Sequence, residues 1–132
     1  MRERLITLEE SLKTNAIELA RIFVHELFHF VWLRLGNGRR WSYEGLVAGE
    51  LRNKVRGELG WSAEWRKTKL EPRDWRERTR IWREYCCESF CDTAAWRYAG
   101  VKKHREFTLA ADARAAREDW FAHQGLDRNI LI

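Results

Sequence analysis

Proline and methionine each occur once in the 132 residues, and glycine eight times. That scarcity excludes collagen-like and proline-rich low-complexity chains. Cysteine is also scarce. Three residues, an odd number, crowd at Cys86, Cys87 and Cys91, which is no disulfide framework. No run of 18 apolar residues exists, so no helix is expected to span a membrane. The most apolar stretch, 22–35, is interrupted by His25, Glu26, His29 and Arg34. Acidic residues enter too early in Met-Arg-Glu-Arg-Leu-Ile-Thr-Leu-Glu-Glu for a signal peptide, and the expectation is a cytoplasmic chain. Strand-type alternation is weak everywhere, and neither a repeat nor a dividing linker is found.

What is present suits a packed core. Hydrophobic residues make up 45% and charged residues 34%, which argues against disorder. Eight Trp, six Phe and three Tyr supply bulk. The length fits a single domain over residues 1–132. The expected class is mainly α, a compact helical core with at most a small β element. A first helix is expected from Thr14 or Asn15 to Leu35, stopped by Gly36-Asn37-Gly38. It is apolar nearly all round from Ile22, which predicts a helix in the middle of the domain. After a loop over 36–41, Ser42 would cap a second helix reaching about Glu58. A short strand near Trp65–Leu70 and another over Arg4–Leu8 are the candidate β elements. Pro72 suits the start of a long helix over about Arg73–Ala99, stopped by Gly100. A last helix covers about Leu109–Ala122.

The net charge of +5 is unevenly spread. Residues 34–83 hold 14 Lys and Arg against 7 Asp and Glu, together with five of the eight Trp. Arginine beside aromatic rings suits phosphates and stacked bases. It equally suits a solvated face with arginine stems lying over indoles. No nucleic-acid motif accompanies the charge, which favours the second account.

The informative residues are His25-Glu26-Leu27-Phe28-His29, an H-E-x-x-H pattern inside a helical stretch. A spacing of four is close to one helical turn, so both imidazoles leave one face and can hold one metal ion. Glu26 can then reach a water on that ion and take its proton as the water attacks a carbonyl. With 4 His and 15 Glu in the chain, the pattern arises by chance about 0.01 times. The alternative is two core histidines satisfied by hydrogen bonds. Burying two imidazoles and a carboxylate in the most apolar helix costs several kcal/mol unless they are paired or metallated, and the segment itself offers no partner.

A catalytic zinc site takes three protein ligands and leaves one position open. His104, His123 and the acids of the 73–99 helix are the candidates for the third. Glu88 and Asp92, four apart, share a face; one can ligate while the other accepts an N–H from a ligand histidine. Glu84, one turn earlier, is the next candidate. Small residues beside them (Cys91, Ala94, Ala95) allow close helix approach. Cys87 and Cys91 are a rival donor pair, but the C-x-x-C pairs of a structural zinc site are missing, and buried free cysteine is commonly a small hydrophobe.

The two motifs together resemble the gluzincin branch of the zincin metallopeptidases, and more narrowly the small ImmA/IrrE-type metallopeptidase domains. These pair the H-E-x-x-H helix with a later helix bearing roughly E-x-x-A-[ND]-x-[FA]-A. Glu88-Ser89-Phe90-Cys91-Asp92-Thr93-Ala94-Ala95 follows that pattern, with Cys91 in place of alanine. The resemblance covers two helices. It implies a zincin-like fold, zinc held by His25, His29 and Glu88, Glu26 as general base, and Asp92 orienting a ligand. It also implies a small sheet whose edge strand takes an extended peptide, for which no strong strand run is legible here. Tyr98 and His104 are candidate oxyanion stabilisers.

The leading expectation is a zinc-dependent peptidase acting on a peptide or protein substrate. The alternative is a non-catalytic binding module of the same fold, using the basic segment 34–83 on nucleic acid or an acidic protein. A hydrolase acting on a non-peptide amide is a third, weaker possibility.

Overall fold

A computed structural model of the chain describes residues 16–126. The candidate strand over 4–8 lies outside them. The described residues are mainly helical and contain no strand. Six helices follow in order: α1 Ala16–Arg34, α2 Asn37–Arg52, α3 Trp61–Lys67, α4 Pro72–Glu77, α5 Arg80–Tyr98 and α6 Ala111–His123. No helix among them is long and apolar enough to cross a membrane.

Several boundaries differ from the sequence expectation, each for a local reason. The second helix begins at Asn37 rather than Ser42, with no side-chain cap. Arg40 on its first turn instead reaches back, donating to the carbonyls of Trp32 and Leu33 at 3.1 and 3.2 Å. One guanidinium thereby satisfies orphan acceptors at the end of α1, and the expected 36–41 loop shrinks to a corner. The segment Trp65–Leu70, a candidate strand, falls in α3 and the turn after it.

The long helix expected over 73–99 is two helices. Arg78 sits in the left-handed region (φ 50, ψ 53) between them, a conformation that costs a non-glycine residue about 1–2 kcal/mol. Its guanidinium pays this back in a two-point pair with Glu44, at 2.8 and 3.0 Å. Around the break, Glu71 and Asp74 form a reciprocal capping box on α4. Asp74 also accepts from the Thr79 hydroxyl at 2.8 Å, and Thr79 caps α5 by accepting from the Trp82 N–H.

The middle helix is α5, not α1. From Ser89 to Ala95 every residue of α5 is buried. It packs against α1 and α3, and also touches α2 and α4. By contrast α1 buries Phe28, Val31 and Trp32 but leaves Phe23, Phe30 and Leu33 more than half exposed. The main core is aromatic, with Phe28, Trp32, Tyr43, Trp82, Tyr85, Phe90 and Phe121. The Phe90 and Phe121 rings stack at 5.2 Å.

A buried ion network ties α2, α5 and α6 to the loop 55–60. The Arg117 side chain is fully buried, and all five of its N–H donors are used. Nε and Nη2 donate to the two oxygens of Glu50; Nη1 and Nη2 donate to those of Glu58; Nη1 also donates to the Thr93 hydroxyl. The Tyr85 hydroxyl donates to Glu58 as well. Full pairing is what makes such a buried charge tolerable. The loop carrying Glu58 is held in turn by the Thr108 and Leu109 N–H groups, which donate to Glu58 O at 2.9 and 3.0 Å. Here Gly57 has φ 87, and a Cβ on it would meet Thr108 O at 2.2 Å. The close approach therefore requires glycine.

Candidate metal centre

The pairing of α1 with α5 brings the two sequence motifs face to face. His25 and His29 leave one face of α1; Glu88 and Asp92 leave the facing side of α5. The two imidazole Nε2 atoms lie 3.3 Å apart. Glu88 Oε2 is 3.0 Å from His29 Nε2, and Glu88 Oε1 is 3.6 Å from His25 Nε2. These three groups converge on one point.

The other ring nitrogens are held from behind. Asp92 Oδ1 is 2.7 Å from His25 Nδ1, and Cys87 Sγ is 3.5 Å from His29 Nδ1. A partner on Nδ1 fixes the ring orientation and favours the tautomer whose Nε2 lone pair faces the common point.

The short helix α3 supports both acids. The Ala63 N–H donates to Asp92 Oδ2 at 2.9 Å, and the Ser62 hydroxyl donates to Glu88 Oε1. The Arg66 guanidinium donates to the Ser62 carbonyl and hydroxyl oxygens, both at 2.9 Å, lies over the Trp65 ring, and comes within 3.5 Å of Glu88 Oε1. Gly60, just before α3, presses on Asp92. None of Gly60, Ser62 or Arg66 is marked in the sequence by a motif. The one legible hint is a glycine followed by a hydroxyl residue at a helix start.

Electrostatically the cluster is a set of hydrogen-bonded imidazole–carboxylate pairs. Burial opposes the charged form of His25, but its bonds to Asp92 and Glu88 outweigh this and raise its pKa to about 9. For His29 the Cys87 and Glu88 contacts raise it to about 10. Burial works against ionised Glu88, yet its bonds to His25, His29 and Ser62 hold it well below the usual carboxylate range. Cys87 is drawn down to about 6, first by its contact with Cys91 and then, against burial, by His29.

The cluster forms part of the wall of a cleft of about 520 Å³, which Glu26, Ser62, Trp61, Trp65 and Arg66 also line. Glu26 is half-buried beside the two histidines. The far end of the cleft carries Arg21, paired with Glu18 at 3.0 Å and Glu106 at 2.9 Å. His104 stands behind that end, 2.7 Å from Glu18 Oε2. Tyr98 is elsewhere, its ring stacked on Phe28 at 5.3 Å, and it does not line the cleft. Nor are the other candidate ligands brought in. Glu84 is about half exposed and pairs with Arg80, and His123 is exposed, bonded to Asp119 O.

The donor set fits a zinc ion. Nitrogen and oxygen ligands about 2.0–2.2 Å from a tetrahedral zinc lie about 3.3–3.6 Å from one another; the two Nε2 atoms are 3.3 Å apart, and Glu88 meets His29 with Oε2 at 3.0 Å and His25 with Oε1 at 3.6 Å, so one carboxylate oxygen would turn toward the common point on binding. Cys91 Sγ belongs to the same group: donor atoms of His25, His29, Glu88 and Cys91 all lie within 4.8 Å of one another. No protein-family model, curated protein or solved structure matches the chain.

Proposed function

We propose that the protein is a zinc-dependent peptidase, with His25, His29 and Glu88 holding the metal and Glu26 as general base. The observation that carries this reading is the convergence of both Nε2 atoms and the Glu88 carboxylate inside a cleft that Glu26 also lines. A zinc ion held there supplies Lewis acidity towards a substrate carbonyl and makes water a nucleophile near neutral pH. The chain's own groups do the rest. Glu26 accepts the proton of the attacking water and passes it to the leaving amine. Asp92 and Cys87 keep the imidazoles aimed, and Ser62 keeps Glu88 aimed. Arg66 presents a cation to the cleft, a place from which it can stabilise developing negative charge on the substrate. Tyr98 is set aside for that task by its position, and His104 stands one residue behind the cleft wall.

The binding-module reading has no comparable convergence of groups behind it: several cations of the basic segment bond within the fold, while ten of its fourteen, Arg78 among them, are exposed. Arg39 donates to Gln124, Arg40 to the end of α1, Arg78 to Glu44 and Lys67 to Gly57 O.

The test is zinc content per chain, for protein prepared without chelator or histidine tag, alongside cleavage of a diverse peptide mixture. The expected result is about one zinc in the wild type, clearly less in Glu88→Ala, and cleavage that disappears in Glu26→Gln while its zinc stays bound. Wild type that takes up no zinc at neutral pH overturns the reading. Cleavage that survives Glu26→Gln removes the proposed base.

A further inference from the structure

The catalytic scheme above leaves the α5 cysteines only partly used. Cys87 stands behind His29, and Cys91, one turn further along α5, contacts Cys87. Cys91 is fully buried, three residues from Glu88 and therefore on the same helix face. Its sulfur shares a 4.8 Å neighbourhood with the donor atoms of His25, His29 and Glu88. Two packed helices thus each contribute a pair of donor residues to one cluster: His25 and His29 from α1, Glu88 and Cys91 from α5.

We propose that Cys91 is a fourth protein ligand of the metal, completing a shell of two imidazoles, one carboxylate and one thiolate; this rests on the metal-site reading above. Zinc–sulfur and zinc–nitrogen bonds of about 2.3 and 2.0 Å put neighbouring donors about 3.5 Å apart. The cluster must therefore tighten by about 1 Å at its widest, within reach of rotation about side-chain bonds. On coordination the Cys91 thiol gives its proton to solvent as the sulfur–metal bond forms. Two consequences follow for the chain. A thiolate makes the site selective for zinc and cobalt over magnesium or manganese. It would also take the position that a three-ligand site leaves open, so the peptidase scheme would then require a fifth position at the ion or release of the Cys91 thiolate when water or substrate binds.

Cobalt(II) titration of the metal-stripped full-length chain tests this, because a thiolate on cobalt gives a near-ultraviolet charge-transfer band while bound cobalt of any kind gives visible bands. The expected result is both sets of bands in the wild type and in Cys87→Ala. Cys91→Ala and Cys91→Ser should lose only the near-ultraviolet band and bind zinc about tenfold more weakly or worse. Visible bands without the charge-transfer band in the wild type overturn the proposal and leave the three-ligand site standing. So does a band that vanishes in Cys87→Ala and persists in Cys91→Ala. Absence of all cobalt bands in the wild type overturns the metal site itself. Should the Cys91 variants fail to fold, Cys86→Ala and Cys87→Ala decide by elimination: the band kept in both supports Cys91, and its loss in either overturns it.

Discussion

Gly60 lies directly against the carboxylate of Asp92. A Cβ at position 60 would fall 2.3 Å from Asp92 Cγ and 2.4 Å from Oδ2. The backbone of Gly60 is extended (φ −179, ψ 155), so any residue could adopt its conformation; it is the contact that demands glycine. Asp92 is wedged between the N–H of Ala63 and Nδ1 of His25, and the position of one imidazole is thereby set by the start of α3.

Gly60→Ala is therefore expected to displace Asp92 and loosen His25. Loss of an outer partner of a ligand histidine costs about 10–100-fold in metal affinity. Competition with a chromophoric chelator would show the drop, and circular dichroism should show the helices retained. Unchanged zinc affinity would dissociate the α3 contact from the proposed metal centre.

Ser62→Ala removes the hydroxyl that donates to Glu88 Oε1 without touching His25 or Asp92. The expected effect on zinc affinity is about tenfold, the low end of what one lost hydrogen bond to a charged acceptor costs, and smaller than for Gly60→Ala. The comparison of the two variants in the same chelator assay checks the ranking.

Without metal, the histidines hold protons in the place of the ion. Their pKa values are raised from 6.5 to about 9 and about 10. The stabilisation from these pairs is complete below about pH 6.5 and is lost as pH rises through 9 to 10. Urea unfolding of chelator-treated protein should show a falling midpoint over that range. Zinc must displace about two protons from the imidazoles at pH 7, so its affinity should rise with pH by about 100-fold per unit, and by up to about 1,000-fold where Cys91 gives up a third proton. Isothermal titration in buffers of different ionisation enthalpy counts the protons released. Glu88 acts at the other end: its lowered pKa adds stability above the ordinary carboxylate range that is lost as pH falls.

Arg117→Leu should be among the most destabilising single changes. It strands Glu50 and Glu58 in the interior with their main cation gone. Breaking one partner of a buried ion pair costs about 3–5 kcal/mol, a large part of a small domain's stability. Replacing Glu50 and Glu58 by Gln in the same chain should recover part of the loss, and denaturant midpoints would measure both.

Local geometry made half of the candidate metal centre legible from the amino-acid order alone. His25 and His29, and likewise Glu88 and Asp92, are four apart, and the helical repeat by itself puts each pair on one face. The mainly α character was equally plain, because apolar spacing and weak alternation are local signals. Other features depend on approach in space. That α5 rather than α1 lies in the middle follows from how the helices stack, since an apolar helix can leave a face exposed. The break at Arg78 depends on Glu44, which is 34 positions earlier. The pairing of His25 with Asp92 spans 67 positions, and the roles of Gly60, Ser62 and Arg66 exist only because α3 is laid across the acids of α5. Residue type and period determine which groups share a helix face. Only the packing of one helix on another decides which faces meet, because that choice is made by contacts between residues far apart in the chain.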